Sequence, residues 1–296
     1  MSLLNKNSVY LVGELVEVKD FREGTYSGDK NFVSATVVIK STVDDQELLT
    51  EARTFVNELK KDGSQNKNYA TIKNINSWLN KRVVISGANL SGERFWSART
   101  SQLVNAARIN FNLIRLASAN DKEDKATFEF GGFVTRPLQE VVDENNNIKY
   151  YQITLGQANY KEDNMFECTF TVDKDNIGAA RAIEEKYVAG STVEINGACK
   201  TIVTVIEKET EVAFGAPQVK KFNNVDKKFI ILGGSEVITG EGEYTEEVID
   251  RLVAAYVAEG KEIQAKASST EKATASASSN AAPKPKAKSS SLAGLI

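Results

Sequence analysis

A chain of 296 residues is long enough for two domains, each with its own core. It contains no histidine, which excludes Ser-His and Cys-His nucleophile pairs, histidine general bases and histidine metal ligands. Its net charge of −3 is small for its length, so any affinity for a polyanion must come from a local basic surface.

Other chemical signals are sparse. Cys168 and Cys199 stand apart without C-x-x-C spacing, so two buried reduced thiols are expected rather than a zinc site or a disulfide framework. A G-x-x-x-x-G-K-[ST] phosphate loop is absent, and the pairs Gly131-Gly132 and Gly233-Gly234 lack G-x-G-x-x-G spacing. A non-enzymatic protein without cofactor or metal is expected. No basic region followed by an apolar run opens the chain, and no stretch nears the roughly 18 apolar residues that span a bilayer. The expected location is cytoplasmic, without membrane contact.

In chain order, 8–18 alternates as a strand, and a polar loop with Gly24 and Gly28 leads to an apolar run at 32–39. A third strand is expected at 48–59, and Ile72, Ile75 and Leu79 give 71–79 helical spacing. Strands at 82–90, 94–101 and 108–116 complete the segment, the first two being one strand bent at a turn near Gly92. Three strands, a helix and two strands is the order of a five-stranded Greek-key barrel of the oligonucleotide- and oligosaccharide-binding (OB) kind.

A repeat extends this reading to the next segment. Val83-Val84-Ile85-Ser86-Gly87-Ala88 returns as Val193-Glu194-Ile195-Asn196-Gly197-Ala198, and each copy follows a glycine-bearing strand, at 8–18 and at 126–136. Glycine inside a strand marks the bulge or bend that a small barrel needs at its corners. In the second copy Tyr150, Tyr151 and Ile153 lead a strand, 166–172 is another, 177–187 is a helix, and 229–232 ends the barrel after a long excursion from Lys200 to Lys228.

Beyond it, 245–259 carries an apolar stripe of Val248, Ile249, Leu252, Val253, Tyr256 and Val257, with Gly260 as the expected stop. From 265 to 291, 23 of 27 residues are Ala, Ser, Thr or Lys, which predicts a disordered tail. The expected fold is mainly β: two tandem OB barrels at 1–118 and 119–237, an amphipathic helix within 238–264, and a tail at 265–296 ending in an apolar tip, Leu292, Leu295 and Ile296.

Charge separates the barrels. Lys and Arg number 16 against 12 Asp and Glu over 1–118, and 14 against 20 over 119–237, so the first barrel has the sign that suits phosphate. A sequence-tolerant single-strand binder combines aromatic faces with basic groups along the backbone. The stretch ERFWSART offers both: by period two Trp96 shares a face with Arg94 and is the stacking candidate, with Arg99 nearby, the alternative being a tryptophan that packs the barrel lid. Arg22, Tyr26 and Lys30 lie on the first long loop, and Arg53 and Phe55 alternate with Val56 on the third strand, so at least one of them is expected to face the groove, the alternative for Phe55 being a core residue. Trp78 is assigned to the core. Lys220, Lys221 and Phe222 form a basic loop that extends the path or is a solvated hairpin.

The first strand with Asn7, Val9, Leu11, Val12, Gly13 and Leu15, the segment FREGTYSGDKNFVSATV and the segment RVVISGANLSGERFW resemble the bacterial and phage single-stranded DNA-binding protein family. The resemblance covers 5–118 and implies a protein that coats and protects single-stranded DNA in replication or recombination, with RNA as a second candidate polymer. A second barrel, and Lys284, Lys286 and Lys288 where that family carries an acidic tip, suit a tandem-barrel phage-type variant acting in the host cytoplasm. The tip would engage replication or recombination proteins, and self-association into a homo-oligomer is compatible with the family. The rival reading is a virion structural or assembly protein that uses its barrels for protein contacts.

Overall fold

Two five-stranded barrels with the same strand order are built from consecutive segments. In the first, β1 (Asn7–Tyr26), β2 (Lys30–Val43) and β3 (Gln46–Asn57) precede a short helix α1 (Lys67–Lys73) and a 3₁₀ turn at Ile75–Trp78, followed by β4 (Arg82–Ser97) and β5 (Gln102–Asn110). Strand β1 pairs with β2 and β4, β2 with β3, β4 with β5, and β3 closes on β5 through a parallel bridge from Arg53 to Asn110. A short β6 (Leu113–Leu116) adds to β4. The second barrel repeats the circuit with β7 (Lys125–Val142), β8 (Ile148–Ala158), β9 (Met165–Asp173), α2 (Ile177–Lys186), β10 (Thr192–Thr210) and β11 (Gln218–Gly234), closed by a parallel bridge from Thr171 to Ile230. These features come from a computed structural model that describes residues 3–26, 30–210 and 218–278, with the backbone alone over 201–210, 218–227 and 269–278.

The repeated signature forms matching walls. Val83, Ile85, Val193 and Ile195 are fully buried, as period two requires of residues two apart on the inner face. The glycine-bearing strands match too: a Cβ at Gly13 would strike the Lys40 carbonyl, and one at Gly132 the Gly156 carbonyl. Glycine thus lets the first strand of each barrel lie against the second where the sheet curls. The core is continuous across both barrels, with Leu11, Leu15 and Phe111 in one and Phe128, Phe130, Phe170 and Phe229 in the other. The Phe170 ring lies 5.1 Å from that of Phe130 and 5.3 Å from that of Phe128.

The barrels are fixed to each other by backbone and by charge. Asn7 to Val12 of β1 form an antiparallel ladder with Phe130 to Lys125 of β7. Arg82 bonds Asp124 at 2.7 Å, and Arg115 grips Asp121 with two bonds of 2.7 and 2.8 Å, which pins the connecting segment.

Local differences from expectation have physical causes. Strand β1 continues to Tyr26, so FREGTY is strand rather than loop; bulges after Leu15 and after Lys19, the second with Asp20 at φ 49°, interrupt the alternation that would have marked it. Strand β4 passes Gly92 without a turn, and the expected helix at 71–79 divides into α1 and the 3₁₀ turn. The C-terminal helix α3 (Glu246–Ser278) does not stop at Gly260. A Cβ there would strike the Arg94 guanidinium and lie 3.1 Å from Leu103, so this glycine serves contact, not termination. The Ala, Lys, Glu and Gln residues that follow are strong helix formers, and the stretch 265–278, expected to be tail, continues the helix. Among the described residues no helix is long and apolar enough to cross a membrane.

Cys168 and Cys199 are buried free thiols, as expected, and burial pushes both well above the ordinary thiol range. Thiolate is the reactive form, so the native protein is expected to leave both unmodified by a disulfide-exchange reagent at neutral pH, while the denatured chain titrates both. Rapid native labelling would show that β9 and β10 open in solution.

Candidate nucleic-acid interface

In an OB barrel the outer face of the second and third strands is the surface that oligonucleotides use, and here that face carries the basic and aromatic residues. Val33, Ala35 and Val37 of β2 point inward and are buried. The opposite parity therefore sends Phe32, Ser34 and Thr36 outward, and the register aligns them with Asn57, Phe55 and Arg53 of β3. On the other side β1 brings Arg22 opposite Ser34, Gly24 opposite Phe32, and Tyr26 opposite Lys30. Arg22, Tyr26, Lys30, Arg53 and Phe55, which the sequence singles out, thus share one face of three adjacent strands.

Three rings form its centre. Phe55 is 51% exposed and stacks on Phe32 at 5.0 Å with 18° between ring planes; Tyr26 lies 6.0 Å from Phe32 and 6.3 Å from Phe55. Exposure of such rings costs hydrophobic free energy, so an open platform of this kind suits a partner with flat faces. Gly24 allows it, since a side chain there would meet the Phe32 ring at 2.9 Å. The Tyr26 hydroxyl donates to Asn57 Oδ1 at 3.1 Å, which orients its ring. Beside Phe55, a shallow recess is lined by Leu59, Lys60, Lys61 and Asn68. At the other end of the face, where β1 bulges, burial pulls the Lys19 pKa down, but hydrogen bonds and charge from Glu51 and Glu17 outweigh it and hold the pKa above the ordinary lysine value.

Phe32, Lys60 and Lys61 were not marked in the sequence. Phe32 opens an apolar run that reads as core, yet Ser34 and Thr36 at its own parity were the signal that its face looks outward.

The strip around Trp96 is placed differently, and its assignment is corrected. Arg94 and Trp96 share a face, as period two requires, but α3 docks on that face. The Arg94 guanidinium lies 3.6 Å from the Tyr256 ring centre, donates to the Tyr256 carbonyl, and sits 3.6 Å from Glu259. Its side chain is only 11% exposed, so it holds a helix and not a phosphate. Trp96 is half-buried, its Nε1–H enclosed without a hydrogen-bond partner among the described residues, and its cross-strand neighbour Leu103 lies under Gly260. Phe95, on the opposite face, is the more exposed ring of the two at 39%. Arg99 is exposed at the β4–β5 turn, separate from the three-ring face. Trp78 packs against the core.

Lys220, Lys221 and Phe222 belong to β11, paired with Lys208, Glu207 and Ile206 of β10, so of the two expected forms the backbone is that of a hairpin; their side chains lie outside the described residues. Leu292, Leu295 and Ile296 also lie outside the described residues.

Fold and face together define a tandem OB-fold protein with an aromatic and basic platform on its first barrel. The chain belongs to the YorF family, whose model matches residues 6–270. No curated protein sequence matches it. Among solved structures it is similar to the wild-type single-stranded DNA binding protein from Thermus aquaticus, at 9% identity and a TM-score of 0.50, over 82% of this chain and 98% of that one. A deletion mutant of the same Thermus aquaticus protein gives 10% identity and a TM-score of 0.50, over 80% and 96% of the two chains. At such identities the likeness is one of fold.

Proposed function

We propose that this chain binds single-stranded DNA with little sequence preference through the outer face of β1, β2 and β3. The observation that carries the reading is the exposed stack of Phe55 on Phe32, flanked by Tyr26, Arg22, Lys30 and Arg53. Stacking accepts every base, and cations beside the rings take the phosphates. The solved structures of like fold are of a single-stranded DNA binding protein, which supports the same ligand here. Coating of DNA in replication or recombination, in a phage context and in the host cytoplasm, is the biological setting we propose, with no catalytic step.

Titration of a labelled oligothymidine at two salt concentrations tests the proposal. Affinity should fall with salt, with a log–log slope of about −0.7 for each phosphate neutralised. Arg53→Ala should weaken binding alike for different sequences and make the slope shallower by about 0.7. Absence of binding at low salt, or a preference for duplex, would refute single-strand binding.

A further inference from the structure

Arg53 lies at the edge of a groove of about 590 Å³ between the two barrels. One wall is barrel one, with Arg53 of β3 and Arg108 of β5; the other is barrel two, with Arg136 of β7, Tyr150 of β8 and Lys228 of β11. Barrel two turns toward it the same kind of surface that barrel one uses for its platform. Ile153, Phe170 and Val172 are buried inside, so Tyr150 and Gln152 of β8 and Thr169 and Thr171 of β9 point outward by parity, into the groove.

Charge favours a polyanion there. Five cations line the groove against three carboxylates, an excess of two; Lys19 pairs with Glu51, Arg136 with Glu167, and Arg108 with Glu93 from outside the groove. Glu51 accepts from Lys19 at 3.0 Å; Glu167 accepts from Arg136 at 3.2 Å, from the Tyr256 hydroxyl at 3.2 Å and from Asn105 at 3.4 Å. The Lys228 ammonium lies over the Tyr150 ring, 3.9 Å from its centre, which seats a cation on one face of an aromatic ring and brings together the two kinds of group that a nucleotide needs. The excess of 20 acidic over 14 basic residues in 119–237 describes the barrel as a whole and not this wall. Because the β1–β7 ladder fixes the walls, the groove is formed before a ligand arrives, and less ordering opposes binding.

We infer that a strand seated on the first barrel crosses this groove onto the second, with phosphates at Arg108, Arg136 and Lys228 and a base against Tyr150. This rests on the single-strand binding proposed above and adds a second, contiguous segment to it. The groove then makes affinity depend on oligonucleotide length.

The test uses the full chain with an Arg136→Ala, Lys228→Ala double substitution, and oligothymidines of about 8 nucleotides, within the span of one barrel, and about 30, beyond it. The expected result is affinity for the short oligonucleotide within about twofold of wild type, and for the long one about tenfold weaker, with a salt slope shallower by about 1.4 for two lost contacts. Unchanged affinity and slope on the long oligonucleotide would overturn the crossing, and so would an equal loss on both lengths. Lys228→Gln alone, which leaves the Arg136–Glu167 pair in place, gives the same readout with half the change in slope if the double variant is unstable. Failure of the wild type to bind either length counts against single-strand binding itself, a separate outcome.

Discussion

Phe55→Ala is expected to weaken oligonucleotide binding by about 1–3 kcal/mol, the usual worth of one base–aromatic stack, or about five- to 150-fold in Kd. Fold stability should change little, because half of the ring is already in water and contributes little burial. Phe55→Trp should retain binding, since a larger flat ring replaces the smaller one. Phe32→Ala should also weaken binding, and the double variant should lose less than the two single losses together, because the rings act as one stacked unit at 5.0 Å. Fluorescence titration gives the affinity, and a denaturant midpoint on each variant gives the stability. Unchanged affinity with a lowered midpoint would make the ring cluster a structural cap on the hairpin.

The topology was legible because the chain states it twice. The V-x-I-x-G-A strand and the glycine-bearing strand before it recur in the same order, and in both barrels those residues take the same walls and the same corners. Arg53 was legible from alternation with Val56, which is buried, whereas Phe55 at the same parity reads more readily as core and is instead 51% exposed. Phe32 was not, because an apolar run hides which of its members faces out. The error at Arg94 and Trp96 has a different origin. Period two shows which residues share a face, but not what covers it, and the cover here is a helix whose Tyr256 carbonyl meets Arg94 across 162 positions of sequence. Gly260 misled for the same reason, since its value is a contact with Arg94 that no local rule encodes.

That cover supplies the other large effect. Tyr256 is 8% exposed and packs with Leu252, Phe133 and Met165; its ring lies over Arg94 and its hydroxyl donates to Glu167 at 3.2 Å. Tyr256→Ala is expected to destabilise the fold by about 3–5 kcal/mol, as truncation of a buried aromatic does, and to leave Arg94 without its ring partner. Tyr256→Phe removes only the hydroxyl bond to a carboxylate, worth about 1.5–3 kcal/mol. A pH series separates the two roles. Burial first, and then the Glu167 charge, hold the phenol above its ordinary value, so above about pH 10 the unfolded chain releases a proton that the folded chain keeps, and stability falls as pH rises. Tyr256→Phe should fall less steeply there than wild type. Affinity of the folded variants for an oligonucleotide of about 8 nucleotides, within the span of one barrel, should stay within about twofold of wild type at low temperature, because the helix docks on the β4–β5 hairpin and not on the three-ring face. A wild-type denaturation midpoint in Tyr256→Ala would mean that α3 adds nothing to the stability of the barrels, and a gain in affinity in that variant would return Arg94 and Trp96 to the nucleic-acid surface as a strip the helix had covered.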